Sequence, residues 1–290
     1  MTLNHWVQGS SPCGRTIFLP RNLLDKYPFP QYITKRFPPT ENKEKTIMKI
    51  GVQLYNFREA MKTDFKGTLK EVSKMGFDGV EFAVNYGGIA PDELAAYLKE
   101  LKLECAGTMF GEPDLLSGAN QVYDYAHALK SPAVTISMML DFVKEYANVL
   151  ARLKALGEAA KKNGCIFSYH NHWAEWALMD GKPVMEHLLD ETDPKTVFFE
   201  PDICWINRGG SNAPAIIRKY AARIRQIHFK DIRVADDNKT TLPLGTGIIK
   251  VADSMAAAKE INVQWAICEQ DNSADPFKDA ATSLKMIRSL

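Results

Sequence analysis

From Met48 onward the chain repeats one unit eight times: a short β-branched or apolar run, then a longer stretch with helical spacing. The runs KIGVQLY (49–55), DGVEFA (78–83), LECAGTM (103–109), PAVTISM (132–138), CIFSYH (165–170), TVFFEPD (196–202), IRQIHFK (224–230) and QWAICEQ (264–270) read as strands. Between them, DFKGTLKEVSKMG places Leu69, Val72 and Met75 on one helical face and stops at Gly76, and PDELAAYLKELK opens on Pro-Asp. Strict alternation of strand and helix predicts a parallel sheet with right-handed crossovers. Eight units within residues 48–290, close to the ~250 residues usual for such a closed sheet, predict a (β/α)8 barrel, the TIM barrel of the α/β class. An open doubly wound sheet is the alternative. It lacks its usual signature, since no GxGxxG follows the first strand and no GxxxxGK[ST] occurs. The pair Gly245-Thr246-Gly247 reads as a flexible, substrate-facing loop.

Residues 1–47 break the pattern. They are rich in proline and charge, hold no steady period, and read as an irregular N-terminal extension to a catalytic domain spanning 48–290. The 36 basic and 35 acidic residues leave a formal charge of +1 with no basic block, so no nucleic-acid partner is expected. No apolar run is long enough for a membrane span, and no signal peptide is visible, so a cytoplasmic location is expected. Cys13, Cys105, Cys165, Cys204 and Cys268 are scattered without CxxC spacing, which suits small buried hydrophobes in a reducing compartment. A homo-oligomer is compatible with all of this.

In a closed barrel, side chains alternate between the interior and the helix layer, and chemistry sits at the carboxyl ends of the strands. That parity puts Ile166, Ser168, His170 and His172 on one face of the fifth strand and its exit. The sixth gives Phe198, Glu200 and Asp202; the seventh Ile224, Gln226, His228 and Lys230; the eighth Trp265, Ile267 and Glu269. Glu81 lies near the end of the second. An aspartate alone at a strand end is usually a helix N-cap, and a strand histidine alone is usually a satisfied core residue. Four consecutive strands delivering carboxylates and imidazoles to one rim require more, because burying them together without a cation is costly. The donor types suit Mn²⁺ first, with Mg²⁺, Co²⁺ or Zn²⁺ as alternatives.

The segments KIGVQLYNFREAM, GFDGVEFA, YHNHWAEW, EPDICW, IHFKD and ICEQD resemble the sugar phosphate isomerase/epimerase-like family with a xylose isomerase-like TIM barrel, in its HNHxxE subgroup. The resemblance spans nearly all of residues 48–290. It implies a metal set of Glu, Asp, His and Glu from strands five to eight, and Asp202, His228 and Glu269 match the last three positions. This chain has Tyr169-His170 where many members end strand five with glutamate. Glu175 is therefore the candidate for the first carboxylate, with His170 or His172 as alternatives. Met109 and Trp205 stand where relatives carry histidine, which removes the three-zinc cluster of the nuclease branch. The HNH tripeptide is unrelated to the dispersed residues of HNH nucleases.

The expected activity is that of a divalent-metal-dependent sugar or keto-sugar isomerase or epimerase, moving a proton through a metal-stabilised enediolate. His170, His172, Glu269 and Lys230 are the catalytic candidates, and Glu81, Trp173, Trp205 and Lys230 the substrate-binding ones. Trp176 is a further candidate for an apolar platform under a sugar ring. A lyase cleaving a 3-keto-glycoside by elimination, and a sugar-binding barrel without chemistry, are the competing readings.

Overall fold

The computed structural model describes the backbone of Trp6–Ser10 and Thr16–Pro20 and all of residues 47–235 and 240–290. Lys45–Leu290 form one compact unit and Met1–Glu44 another. Within the second, Trp6–Ser10 pairs antiparallel with Thr16–Pro20. The remainder of the expected irregular extension lies outside the described residues.

The larger unit contains a sheet of eight strands. They are β1 (Lys49–Gln53), β2 (Gly79–Ala83), β3 (Glu104–Met109), β4 (Val134–Ser137), β5 (Phe167–His170), β6 (Val197–Glu200), β7 (Gln226–Phe229) and β8 (Trp265–Cys268). All ladders are parallel, in the order β6-β5-β4-β3-β2-β1-β8-β7. The last seam, β6 to β7, closes through single bridges at Phe199–Ile224 and Asp202–His228. Pro201 has no N–H to extend that ladder, although its carbonyl accepts from His228 N at 2.9 Å. Helices follow the strands as the periodicity predicts, among them Phe65–Met75, Pro91–Glu100, Tyr146–Lys162, Val251–Glu260 and Pro276–Arg288. None of the helices in the described residues is long and apolar enough to cross a membrane.

Most of the apolar core lies between sheet and helices. The interior of the barrel is a separate column. Its floor is a small apolar cluster of Ala106, Trp265 and Ile267. The Trp265 indole fits because β2 offers Gly79, where a Cβ would stand 2.6 Å from the indole edge. A register shift between β2 and β3 turns Gly107 inward one layer higher, where any side chain would strike Glu81 and Gln226. Above the floor the column becomes polar. The loop around Gly245-Thr246-Gly247 is anchored rather than loose: Gly245 N, Gly247 N and Ile249 N donate to the Asp231 carboxylate at 3.0, 2.9 and 3.0 Å.

Candidate metal centre at the barrel mouth

The polar column begins with amides and carboxylates that satisfy one another. Gln53 Nε2 donates to Glu81 Oε2 at 2.8 Å, and Gln226 Nε2 to Glu81 Oε1 at 2.9 Å and to Glu200 Oε2. Thr135 Oγ1 donates to Glu200 Oε2 at 2.9 Å. All five side chains are buried. Burial, then the nearby Glu200 charge, pushes Glu81 up to about 8. Glu200 is held down to about 2, because His228 and His170 outweigh the opposing effect of burial.

His228 stands on this layer. Its Nε2 lies 2.6 Å from Glu81 Oε2 and 3.0 Å from Glu200 Oε1, and its Nδ1 lies 2.7 Å from Glu269 Oε2. Burial alone would lower the imidazole's proton affinity, but the three carboxylates raise it well above the ordinary value. At the top, ligand atoms of His170, Asp202, His228 and Glu269 lie within 4.8 Å of one another, and all four residues are buried. Each comes from the end of a different strand, β5 to β8, as parity requires.

Asp202 does two jobs with two oxygens. Its Oδ1 accepts from Cys204 N at 2.8 Å and Trp205 N at 3.1 Å, capping the helix Ile203–Arg208. Its Oδ2 faces the cluster, buried and without a hydrogen bond. Lys230 Nζ lies 3.4 Å from that oxygen and His170 Nε2 3.9 Å. His170 Nδ1 likewise makes no hydrogen bond. Two imidazoles and two carboxyl groups converging, one with a buried oxygen that makes no hydrogen bond, fit a divalent cation.

The segment HNHWAE divides its work differently from expectation. His170 is in the four-residue cluster, and Glu175 is not. The chain turns through a short 3-10 helix at Ala174–Trp176, and Glu175 folds back beneath the loop. There its Oε1 accepts from Tyr169 OH at 2.8 Å and from His172 N at 3.1 Å. Burial pushes this carboxyl up to about 7. His172 sits at the rim, its ring 6.3 Å from that of Trp205, and burial lowers it to about 3 with help from His170 and Lys230. Asn171, between the two histidines, was not singled out from the sequence. Its Oδ1 accepts Asp202 N at 3.1 Å and its Nδ2 donates to His172 O at 3.0 Å.

The other expected site residues separate into rim and interior. Lys230 is buried at the mouth, 3.0 Å from Glu269 Oε2 and 4.8 Å from the centre of the Trp205 ring. Trp173 and Trp205 meet edge-on at 5.2 Å, with the Arg208 guanidinium 4.1 Å from the Trp173 ring. Trp176 is core, buried against Gly209. Glu81 lies below His228 with both oxygens engaged, rather than facing the opening. Asp271 was missed, although it continues the Glu269 face by two residues and pairs with Lys230 at 3.0 Å.

Residues 69–290 match the family model described as xylose isomerase-like TIM barrel. The chain belongs to that family. Among curated relatives of this xylose isomerase-like barrel, an inosose dehydratase of Lactiplantibacillus plantarum is 26% identical over 189 residues, covering 57% of this chain and 62% of the relative. The barrel of this chain superposes with a TM-score of 0.70 on a sugar phosphate isomerase/epimerase from Parabacteroides distasonis, at 18% identity, covering 82% of this chain and 97% of the other. A TM-score of 0.67 relates it to an IolI protein with a bound zinc atom, at 16% identity and with 83% and 97% covered. At these identities the two structures speak for the fold.

Proposed function

We propose that the protein is a divalent-metal-dependent enzyme that moves a proton beside the carbonyl of a sugar or keto-sugar, as an isomerase or epimerase. The observation that carries this reading is the convergence of His170, Asp202, His228 and Glu269 at the mouth, with Asp202 Oδ2 buried and making no hydrogen bond. These four would hold the cation. With His170 in place of a third carboxylate, the donor set favours Mn²⁺, Co²⁺ or Zn²⁺ over Mg²⁺. Once bound, such an ion polarises a carbonyl oxygen and acidifies the neighbouring C–H.

The remaining chemistry falls to the chain's own side chains. His172 has its Nδ1 buried at the rim without a hydrogen bond, and that nitrogen would accept the proton. Lys230 places its ammonium where an enediolate oxygen would gain charge. Glu269 is the candidate on the facing strand to return a proton to carbon. Trp173 and Trp205 offer an apolar wall for the sugar ring, edged by Arg208.

A second reading is a lyase, and the inosose dehydratase relatives favour it. Loss of the same proton from a keto-sugar can be followed by expulsion of a β-oxygen substituent, as water or as the aglycone of a 3-keto-glycoside. That substituent leaves with the C–O electron pair and takes up one proton. The chain spans 62% of the length of the first of those relatives, so the reaction is assigned on the site and not on the relative. The deciding experiment follows Mn²⁺- or Zn²⁺-loaded protein in D₂O with keto-sugars, keto-cyclitols and a 3-keto-glycoside. Deuterium in recovered sugar without release of a leaving group supports isomerisation or epimerisation. Stoichiometric unsaturated product supports elimination. Metal-loaded protein inert toward the whole panel would count against both.

A further inference from the structure

We propose that Lys230 is a built-in rival to the cation at this site, and that Asp271 is the positioning residue that draws its ammonium aside. The inference rests on the metal reading above and deepens it.

Asp202 offers a cation a single oxygen. Its Oδ1 is committed to the backbone N–H groups of Cys204 and Trp205, so only Oδ2 remains for a ligand. Lys230 Nζ stands 3.4 Å from that same atom. It also stands 3.0 Å from Glu269 Oε2, the oxygen that meets His228 at 2.7 Å. Two of the four groups that would hold the cation therefore already face an ammonium. The lysine side chain is buried, and its ammonium sits among Asp202, Glu269, Asp271 and the Trp205 ring. A divalent ion and an ammonium sharing Asp202 Oδ2 repel strongly, since a buried site screens little.

A second seat exists. Both oxygens of Asp271 lie within reach of Nζ, at 3.1 and 3.0 Å. The loop that carries Asp271 is fixed from outside, its backbone carbonyl accepting from Arg58 Nη1 at 2.7 Å. Asp271 is more exposed than Asp202 or Glu269, so this seat lies toward the opening. Cation binding thus moves the Lys230 charge from the ligands to Asp271, at the edge where a substrate oxygen arrives. The ammonium keeps three clustered carboxylates compensated and keeps metal affinity moderate. Asp271 decides how much of the ammonium the ligands must give up.

The test is calorimetric titration of chelator-treated full-length protein with Mn²⁺ and Zn²⁺ at one fixed pH, with Trp fluorescence as a second readout. Wild type, Lys230→Met, Asp271→Asn and the double variant are compared. Lys230→Met should bind at least about tenfold tighter, and Asp271→Asn about tenfold weaker. In the Lys230→Met background the Asp271→Asn effect should shrink to within about twofold, because its route is the lysine. Unchanged or weaker binding by Lys230→Met overturns the proposal. So does an Asp271→Asn loss that persists undiminished in the double variant, which would mark a direct charge effect. If Lys230→Met does not fold, Lys230→Gln takes its place in the same cycle, and binding no tighter than wild type overturns the proposal. No binding by wild type or any variant overturns the metal reading itself, a result distinct from binding that ignores Lys230.

Discussion

Asn171 holds Asp202 in place: its side-chain carbonyl accepts the Asp202 backbone N–H at 3.1 Å, bridging the ends of β5 and β6. The same side chain donates to His172 O at 3.0 Å, so one amide aligns a proposed ligand and the rim histidine together. Asn171→Ala leaves the buried Asp202 N–H without an acceptor, which should destabilise the fold by about 1–3 kcal/mol in urea unfolding. Metal titration of the same variant should show about 10–100-fold weaker binding, as for other groups that orient a ligand from behind. Unchanged binding would mean that the helix cap suffices to hold Asp202.

The ligand set itself is checked by thermal unfolding with and without Mn²⁺ or Zn²⁺. Saturating metal should stabilise wild type by about 4 kcal/mol at a thousandfold excess over its Kd. His170→Ala and Asp202→Asn should lose most of that gain, while Glu175→Gln should keep it. Loss of the gain in Glu175→Gln with retention in His170→Ala would restore Glu175 as the strand-five ligand.

Glu175 also makes a pH prediction. Its folded-state value of about 7 lies above the ordinary 4.5, so the fold prefers the protonated form. The associated stability is fully present below about pH 4.5 and drains away as the pH rises through 7. The loss amounts to at most about 3 kcal/mol. Glu175→Gln keeps an acceptor for Tyr169 and His172 and carries no charge. Its stability relative to wild type should therefore increase from pH 5 to pH 8, and parallel pH profiles would contradict the assignment.

Gly107→Ala tests the polar layer under His228. The new methyl would collide with Glu81 and Gln226, both pinned by hydrogen bonds, so a loss of about 1–3 kcal/mol is expected. Gly88, at φ +67 with no atom within 4 Å of its added Cβ, is the control. Gly88→Ala should cost about 1 kcal/mol from backbone strain alone and leave metal affinity unchanged.

The barrel was legible because a period-2 strand followed by a helical period is a local signal repeated eight times, and each of the eight barrel strands falls inside its expected run. The mouth was legible because parity plus strand ends fixes which side chains meet, and this brought out His170, Asp202, His228, Glu269 and Lys230. Glu175 escaped that logic. It lies past the strand, where a single 3-10 turn decides its direction, and spacing carries no information about such a turn. Asn171 was invisible for the opposite reason: it acts through its amide on a backbone 31 residues away, a partnership no local pattern encodes. Glu200 and Asp271 carried a usable signal, since each lies two residues from a strand-end carboxylate on the same face.

Trp265 turns the barrel into a cul-de-sac. With its indole lodged against Gly79 and flanked by Ala106 and Ile267, the lower end is sealed by packed hydrocarbon. With that end closed, a molecule that reaches His228 would arrive and depart by the mouth, where Trp173 and Trp205 meet. Traffic is therefore single-file, and a spent molecule lingering at the rim keeps the next one out. Such an enzyme should show product inhibition competitive with substrate, and its turnover should respond to crowding at the entrance before it responds to anything at the floor.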